Sequence, residues 1–373
     1  MWVPFIAYAD IECITEKIDT CQSNPNQSYT QQYQKHTISG WSYCIKSFDD
    51  EIFPPIMRTC TATSDENSDM GADFISSLEA DIRMIYETVD FHKPMDEKSF
   101  DQEDFENATH SHICEGVLGN DRVKDHDHLT GKYRGAAHNK CNLAFNVPKF
   151  IPVVMHNLAG YDAHLFIKRL HTTPGNISCI LNNEEKFITF SKRITVGKDE
   201  DGKDIRREIR FRGSYKIMSS SLASLVSNLP PESCKNLAMG SPYDAEKFRL
   251  MRRKGVFPYN WFYFFDKLKE TQLPPKDAFY SKLNDCDITD EDYKHTQNVW
   301  ETFDMKSMRE YHDFYLETDV LLLADVFENF SAVGMKHYGL APAWCFTAPG
   351  LTWDAMLKKT KVKMELITDP TCI

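Results

Sequence analysis

Phe5-Ile6-Ala7-Tyr8-Ala9-Asp10-Ile11-Glu12 opens the chain with an apolar run that closes on two acids one residue apart. It reads as a core strand delivering Asp10 and Glu12 at its end. Strand side chains alternate between faces, so Asp-x-Glu presents both carboxylates on one side. Two further groups match it. Asn157-Leu158-Ala159-Gly160-Tyr161-Asp162 follows a second strand-like run, 150–155. Tyr315-Leu316-Glu317-Thr318-Asp319 enters a long, largely apolar helix over 316–330, and residues four apart share a helix face. Phosphodiester hydrolysis needs an activated hydroxide and relief of charge on the leaving oxygen. Two divalent cations about 4 Å apart supply both, and clustered carboxylates hold them. The pattern therefore points to nucleic acid and to Mg²⁺ or Mn²⁺, with Asp319 on the metal and Tyr315 placed to position the attacking water.

A second set lies inside the first: Val123-Lys124-Asp125-His126-Asp127-His128-Leu129-Thr130-Gly131, then Arg134-Gly135, then His138-Asn139-Lys140-Cys141-Asn142. A His/Asp/Asn cluster suits one-metal chemistry on the same bond, with a histidine deprotonating water.

The rest of the chain sets bounds. Its 373 residues allow two or three domains. A net charge of −12 argues against a basic nucleic-acid coat protein. Local charge matters more: 186–216 holds ten Lys or Arg against five Asp or Glu, on two strand-like runs around a Gly-Lys-Asp-Glu-Asp-Gly turn that reads as a β-hairpin. Eleven cysteines without a Cys-x-x-Cys pair argue for reduced thiols. The sequence has neither a signal-peptide layout nor a bilayer-length apolar run, so an intracellular, non-secreted protein is expected, nuclear if the host is eukaryotic, with no membrane partner. A strand over 40–45 and a helix over 72–89 are expected, 24–34 reads as a polar loop, and the charged stretch 91–109 reads as a linker.

With these motifs in order, the chain resembles the N-terminal 3′–5′ exonuclease region of protein-primed B-family DNA polymerases. Asp10 and Glu12 match the first exonuclease motif, Asn157 with Tyr161 and Asp162 the second, and Tyr315 with Asp319 the third. Tyr8-Ala9-Asp10-Ile11-Glu12-Cys13, His156-Asn157-Leu158 and Ala348-Pro349-Gly350-Leu351-Thr352-Trp353-Asp354-Ala355-Met356 are similar to polymerases of Polinton or Maverick-type mobile elements. The resemblance implies an α/β, ribonuclease H-like fold with Asp10, Glu12, Asp162 and Asp319 as ligands for two metals. It also implies single-stranded DNA contacts at Asn157, Tyr161, Ser221 and Leu222, the last two within Ser221-Leu222-Ala223-Ser224-Leu225. No lysine is carried over. The palm motifs of a polymerase do not occur in the sequence, so this chain is not expected to polymerise. Its implied partners are single-stranded 3′ ends, with a palm region or terminal protein in a longer product.

The inner cluster resembles a ββα-metal, or His-Me, finger of the recombination endonuclease VII type, which adds branched DNA as a candidate substrate. By position Asp125 and Asn142 would hold one Mg²⁺, His126 would be the base and His128 would support it. That family carries a four-ligand structural zinc. Here Cys114, His138 and Cys141 match three ligands, while the fourth position is Ser111, a poor zinc ligand, so either His110 or His112 substitutes in a distorted site or the zinc is lost. The implied order is 1–100 for the first part of the exonuclease domain, 101–148 for the inserted finger, 149–335 for the remainder and 336–373 leading towards a palm.

Overall fold

The computed structural model describes residues 2–17, 34–63, 69–182, 187–239, 245–282 and 284–365. The polar loop expected over 24–34 lies, apart from Gln34, outside them. Nine strands occur among the described residues: β1 (Phe5–Lys17), β2 (Gln34–Ser47), β3 (Ile56–Thr61), β4 (Arg122–His126), β5 (Tyr133–His138), β6 (Phe150–Met155), β7 (Asn176–Leu181), β8 (Phe187–Lys198) and β9 (Asp204–Gly213). Seven form one mixed sheet in the order β3-β2-β1-β6-β9-β8-β7, and β4 with β5 form a separate two-stranded sheet. β1, β6 and β9 run parallel, whereas β1–β2, β2–β3, β8–β9 and β7–β8 are antiparallel. The architecture is mixed α/β. No described helix is long and apolar enough to cross a membrane.

β1 does not stop at its acids, as the sequence suggested, but continues to Lys17. Asp10 and Glu12 thus stand in mid-strand, immediately before a register shift against β2 between Glu12 and Cys13. Bulges of this kind re-aim side chains beside functional sites. Alternation along β1 separates two cores. Ala7, Ala9 and Ile11 join Phe74, Leu78 and Ile82 of the helix Met70–Thr88 on one face. Tyr8 joins Val154, Leu322, Leu323 and Phe327 on the other, beneath the helix Met308–Tyr338. Asp10 and Glu12 share the parity of Tyr8, so they face the long helix. A fully buried large apolar side chain contributes about 1.5–3 kcal/mol, which lets two such layers offset the cost of an acidic site between them.

Gly40 of β2 pairs with Glu12. A Cβ there would lie 2.5 Å from His312 Cε1 and 3.0 Å from the Cys60 carbonyl oxygen. The missing side chain lets the long helix approach the strands one turn before Tyr315. Gly40→Ala is therefore expected to destabilise the fold by about 1–3 kcal/mol through overpacking, read as an earlier urea midpoint. An unchanged midpoint would show that the helix yields freely.

The charged stretch expected as a linker is ordered against the finger. Asp96 and Asp101 cap short helical turns, Glu97–Ser99 and Gln102–Asn107. Phe100 meets the Tyr133 ring edge-on at 5.2 Å, and the Tyr133 N–H donates to Ser99 Oγ at 2.9 Å. The Lys93 N–H donates to the His128 carbonyl at 2.9 Å. The stretch from Lys93 to Tyr133 thus packs as one unit with β4 and β5. Aspartates that look like solvated charge in sequence are helix caps here.

Candidate metal centre

Strand β1 and the long helix bring the outer acids together. One carboxylate oxygen each from Asp10, Glu12 and Asp319 lies within 4.8 Å of the others. A hard cation bound at about 2.0–2.4 Å reaches oxygens spaced at most about 4–5 Å apart, so the group fits. Asp319 is 1% exposed and its Oδ1 has no hydrogen-bond partner. Such a buried orphan oxygen is costly unless something completes it.

Asp162, the fourth expected ligand, ends the turn Leu158–Asp162 that follows β6 and is not part of this 4.8 Å group, though the Asp10 charge acts on it. Burial, the Asp10 charge and, against them, a bond from the Asn157 N–H leave its carboxyl raised to about 8. Burial and the Asp10 charge likewise push Glu12 up to about 8, with Asp162 adding to the rise. Asp10 is also raised, by burial, while Lys254 and the Ile11 N–H act the other way. Among the described residues, Asp10, Glu12, Asp319 and the electrostatically linked Asp162 face an ammonium. That is the electrostatics of a place that takes up either protons or cations.

The ammonium belongs to Lys254, which pairs with Asp319 Oδ2 and lies 4.8 Å from the Tyr315 ring centre. Burial opposes its charge, but Tyr315, Asp10 and Glu12 hold its pKa above the usual lysine value. Tyr259 is the second residue the sequence reading missed. Its hydroxyl donates to Glu12 Oε1 at 3.1 Å and sits 3.2 Å from the Tyr315 hydroxyl. Gly255 is close to the same ring: a Cβ there would meet Tyr315 Cδ2 at 3.2 Å. Lys254 and Tyr259 come from irregular backbone between helices, where no periodicity marks a face. The signal available was the run Arg252-Arg253-Lys254-Gly255 followed by Pro258-Tyr259.

The remaining motif residues divide. Tyr161 Oη lies 2.6 Å from His36 Nδ1, which ties the turn after β6 to the start of β2. The Asn157 side chain packs on Gly160, where a Cβ would lie 2.5 Å from its Oδ1. Ser221 caps the helix Leu222–Ser227 by accepting the Ser224 N–H at 3.2 Å, and Leu222 is buried in the core under the long helix. Capping and packing thus occupy Ser221 and Leu222, two of the four residues to which the resemblance assigns a DNA contact.

In the finger, Asp125 is buried and already satisfied. Arg134 donates to both its oxygens, at 2.8 and 3.0 Å, and His112 Nε2 lies 2.9 Å away. Burial raises its carboxyl, but these partners outweigh burial and hold it below the usual carboxylate range. A metal at Asp125 would have to displace Arg134. His126 Nε2 donates to the Lys93 carbonyl at 3.2 Å, since a carbonyl only accepts. His126 stacks on His128 at 4.8 Å. Asn142 lies on the helix Asn139–Ala144 that follows β5.

Cys114, His138 and Cys141 do converge, with ligand atoms within 4.8 Å. His138 Nε2 donates to the Val117 carbonyl at 3.0 Å while Nδ1 faces Cys114 Sγ at 3.3 Å. That is how an imidazole is oriented for a metal by its second nitrogen. Bonds from the Gly116 N–H and the Ser111 hydroxyl lower the Cys114 thiol to about 7. The Ser111 hydroxyl thus supports the Cys114 sulfur by a hydrogen bond.

No protein-family model matches the sequence, and no curated protein matches it.

Proposed function

We propose that the chain is a metal-dependent 3′–5′ exonuclease acting on single-stranded DNA ends, the proofreading region of a protein-primed B-family DNA polymerase from a mobile element or virus. The convergence of Asp10, Glu12 and Asp319 around an orphaned buried oxygen carries this reading. The sheet supports it too. The order β3-β2-β1-β6-β9, with β1, β6 and β9 parallel and β2 antiparallel to its neighbours, is compatible with a ribonuclease H-like core.

Bound divalent cations would generate hydroxide near neutral pH and neutralise charge on the leaving oxygen. Asp10, Glu12 and Asp319 would hold them, with Asp162 completing the set. Lys254 keeps Asp319 in place. The paired Tyr259 and Tyr315 hydroxyls beside Glu12 orient the attacking water. The test is release of mononucleotides from a single-stranded oligonucleotide by purified protein with Mg²⁺ or Mn²⁺. Absence of hydrolysis with either metal ends this reading. Nicking of branched DNA that His126→Ala abolishes and Asp10→Asn spares would move the activity to the finger.

The finger is proposed as a zinc-stapled insert, with Cys114, His138 and Cys141 as ligands and water at the fourth position. Purified protein is expected to carry about one zinc per chain by atomic emission. Cys141→Ser should empty the site and open β4–β5 to protease, because structural zinc contributes folding free energy directly. Zinc-free protein with reduced thiols and the same protease resistance would refute the staple.

A further inference from the structure

The stretch 257–265 divides its aromatic rings between core and solvent. Phe257 and Phe262 are buried with Ile14, Tyr311 and Tyr315. Tyr263 and Phe264 point outward, 38% and 60% exposed, with ring centres 4.8 Å apart and planes at 60°. Trp261 lies under the Lys267 ammonium at 4.0 Å, and the same ammonium is 5.8 Å from the Tyr263 ring. Exposed rings scattered singly need no explanation. Tyr263 and Phe264 are contiguous, Tyr263 shares the Lys267 cation with Trp261, and the stretch adjoins Tyr259, whose hydroxyl touches Glu12.

The backbone fixes how near they stand to the carboxylates. The Thr15 N–H donates to the Phe262 carbonyl at 3.4 Å, and Thr15 Oγ1 donates to the Tyr259 carbonyl at 3.3 Å. The stretch is therefore clamped to β1 three residues beyond Glu12, a span of about 10 Å along the strand. A strand with its terminal phosphate at the carboxylates would bring the next few bases over these rings.

Resting on the nuclease reading above, we infer that Trp261, Tyr263 and Phe264 form a base-stacking platform for single-stranded nucleic acid entering the carboxylate site, with Lys267 beside its backbone. Rings and a cation side by side suit an unpaired strand, because every base has a π-face and the phosphates need a counter-charge. A duplex keeps its base faces stacked internally. The platform therefore selects unpaired ends without selecting sequence.

The test compares wild type with Tyr263→Ala/Phe264→Ala on a single-stranded oligothymidine in Mg²⁺. Stacking is worth about 1–3 kcal/mol per base, so KM should rise about 10- to 100-fold while kcat changes less than about twofold. Abasic sugars at the second and third positions from the 3′ end should raise the wild-type KM similarly and the variant KM no further. Phe264→Leu, which keeps apolar area without the ring, should fall between. If wild type degrades the oligonucleotide and the double variant has the same KM, the platform is wrong and the exonuclease stands. If wild type degrades nothing, both fall together.

Discussion

Asp10→Asn is expected to slow hydrolysis of single-stranded 3′ ends by about a thousandfold or more, and to make the metal-free protein slightly more stable. The first effect follows from the charge the site must supply. Metal-ion catalysis is worth several kcal/mol of transition-state stabilisation, and each 1.36 kcal/mol is tenfold in rate. An amide in place of Asp10 removes one anion from a group whose oxygens lie within 4.8 Å. The second effect has the opposite sign because the same anion burdens its neighbours: the Asp10 charge helps push both Glu12 and Asp162 up to about 8. Asparagine keeps the shape and the acceptor used by the Ile11 N–H while relieving that repulsion. The metal-free melting temperature should rise by about 1–3 °C. A variant that loses activity and stability together would mean that Asp10 supports the fold instead. A variant that keeps its activity would place the chemistry elsewhere.

This opposition also explains what the sequence could reveal. Residues on regular elements were legible because their spacing encodes a face. Asp10 and Glu12 follow the strand period, Tyr315 and Asp319 the helix period, and all four meet. The helix expected over 72–89 matches Met70–Thr88, whereas the one expected over 316–330 covers only about half of Met308–Tyr338. The β8–β9 hairpin around 199–203 was likewise visible. Short β3 was not, because Ile-Met-Arg-Thr-Cys-Thr lacks clean alternation. Lys254 and Tyr259 stayed hidden because a loop has no period, and only folding brings them against Asp319 and Glu12. The Ser221-Leu222 pair shows how a short match leaves two readings open. A short Ser-Leu match looks like a contact motif, yet Ser, with its compact acceptor, is also a standard helix N-cap. In the finger, the resemblance paired Asp125 with Asn142 by position and could not foresee that Arg134 and His112 already satisfy Asp125.

Raising the pH is expected to weaken the metal-free protein and to strengthen its grip on divalent cations. Free Glu and Asp ionise near pH 4, while folded Glu12 and Asp162 are raised to about 8, chiefly by burial. Between those values the folded state binds more protons than the unfolded state, so stability falls as pH rises through the window. The contribution is fully present below about pH 4 and lost above about pH 8. A divalent cation competes for the same oxygens and must displace those protons. Each proton released makes the apparent affinity rise about tenfold per pH unit. Melting temperatures in EDTA should therefore drop from pH 6 to 8.5, whereas the increase produced by Mn²⁺ should be much larger at pH 8 than at pH 6. In Asp10→Asn both slopes should flatten, because part of the force holding those protons is gone. A metal-free melting temperature that rises over this range, or a Mn²⁺ effect independent of pH, would show that these carboxylates are already ionised and that the cation site proposed between β1 and the long helix is not formed by them.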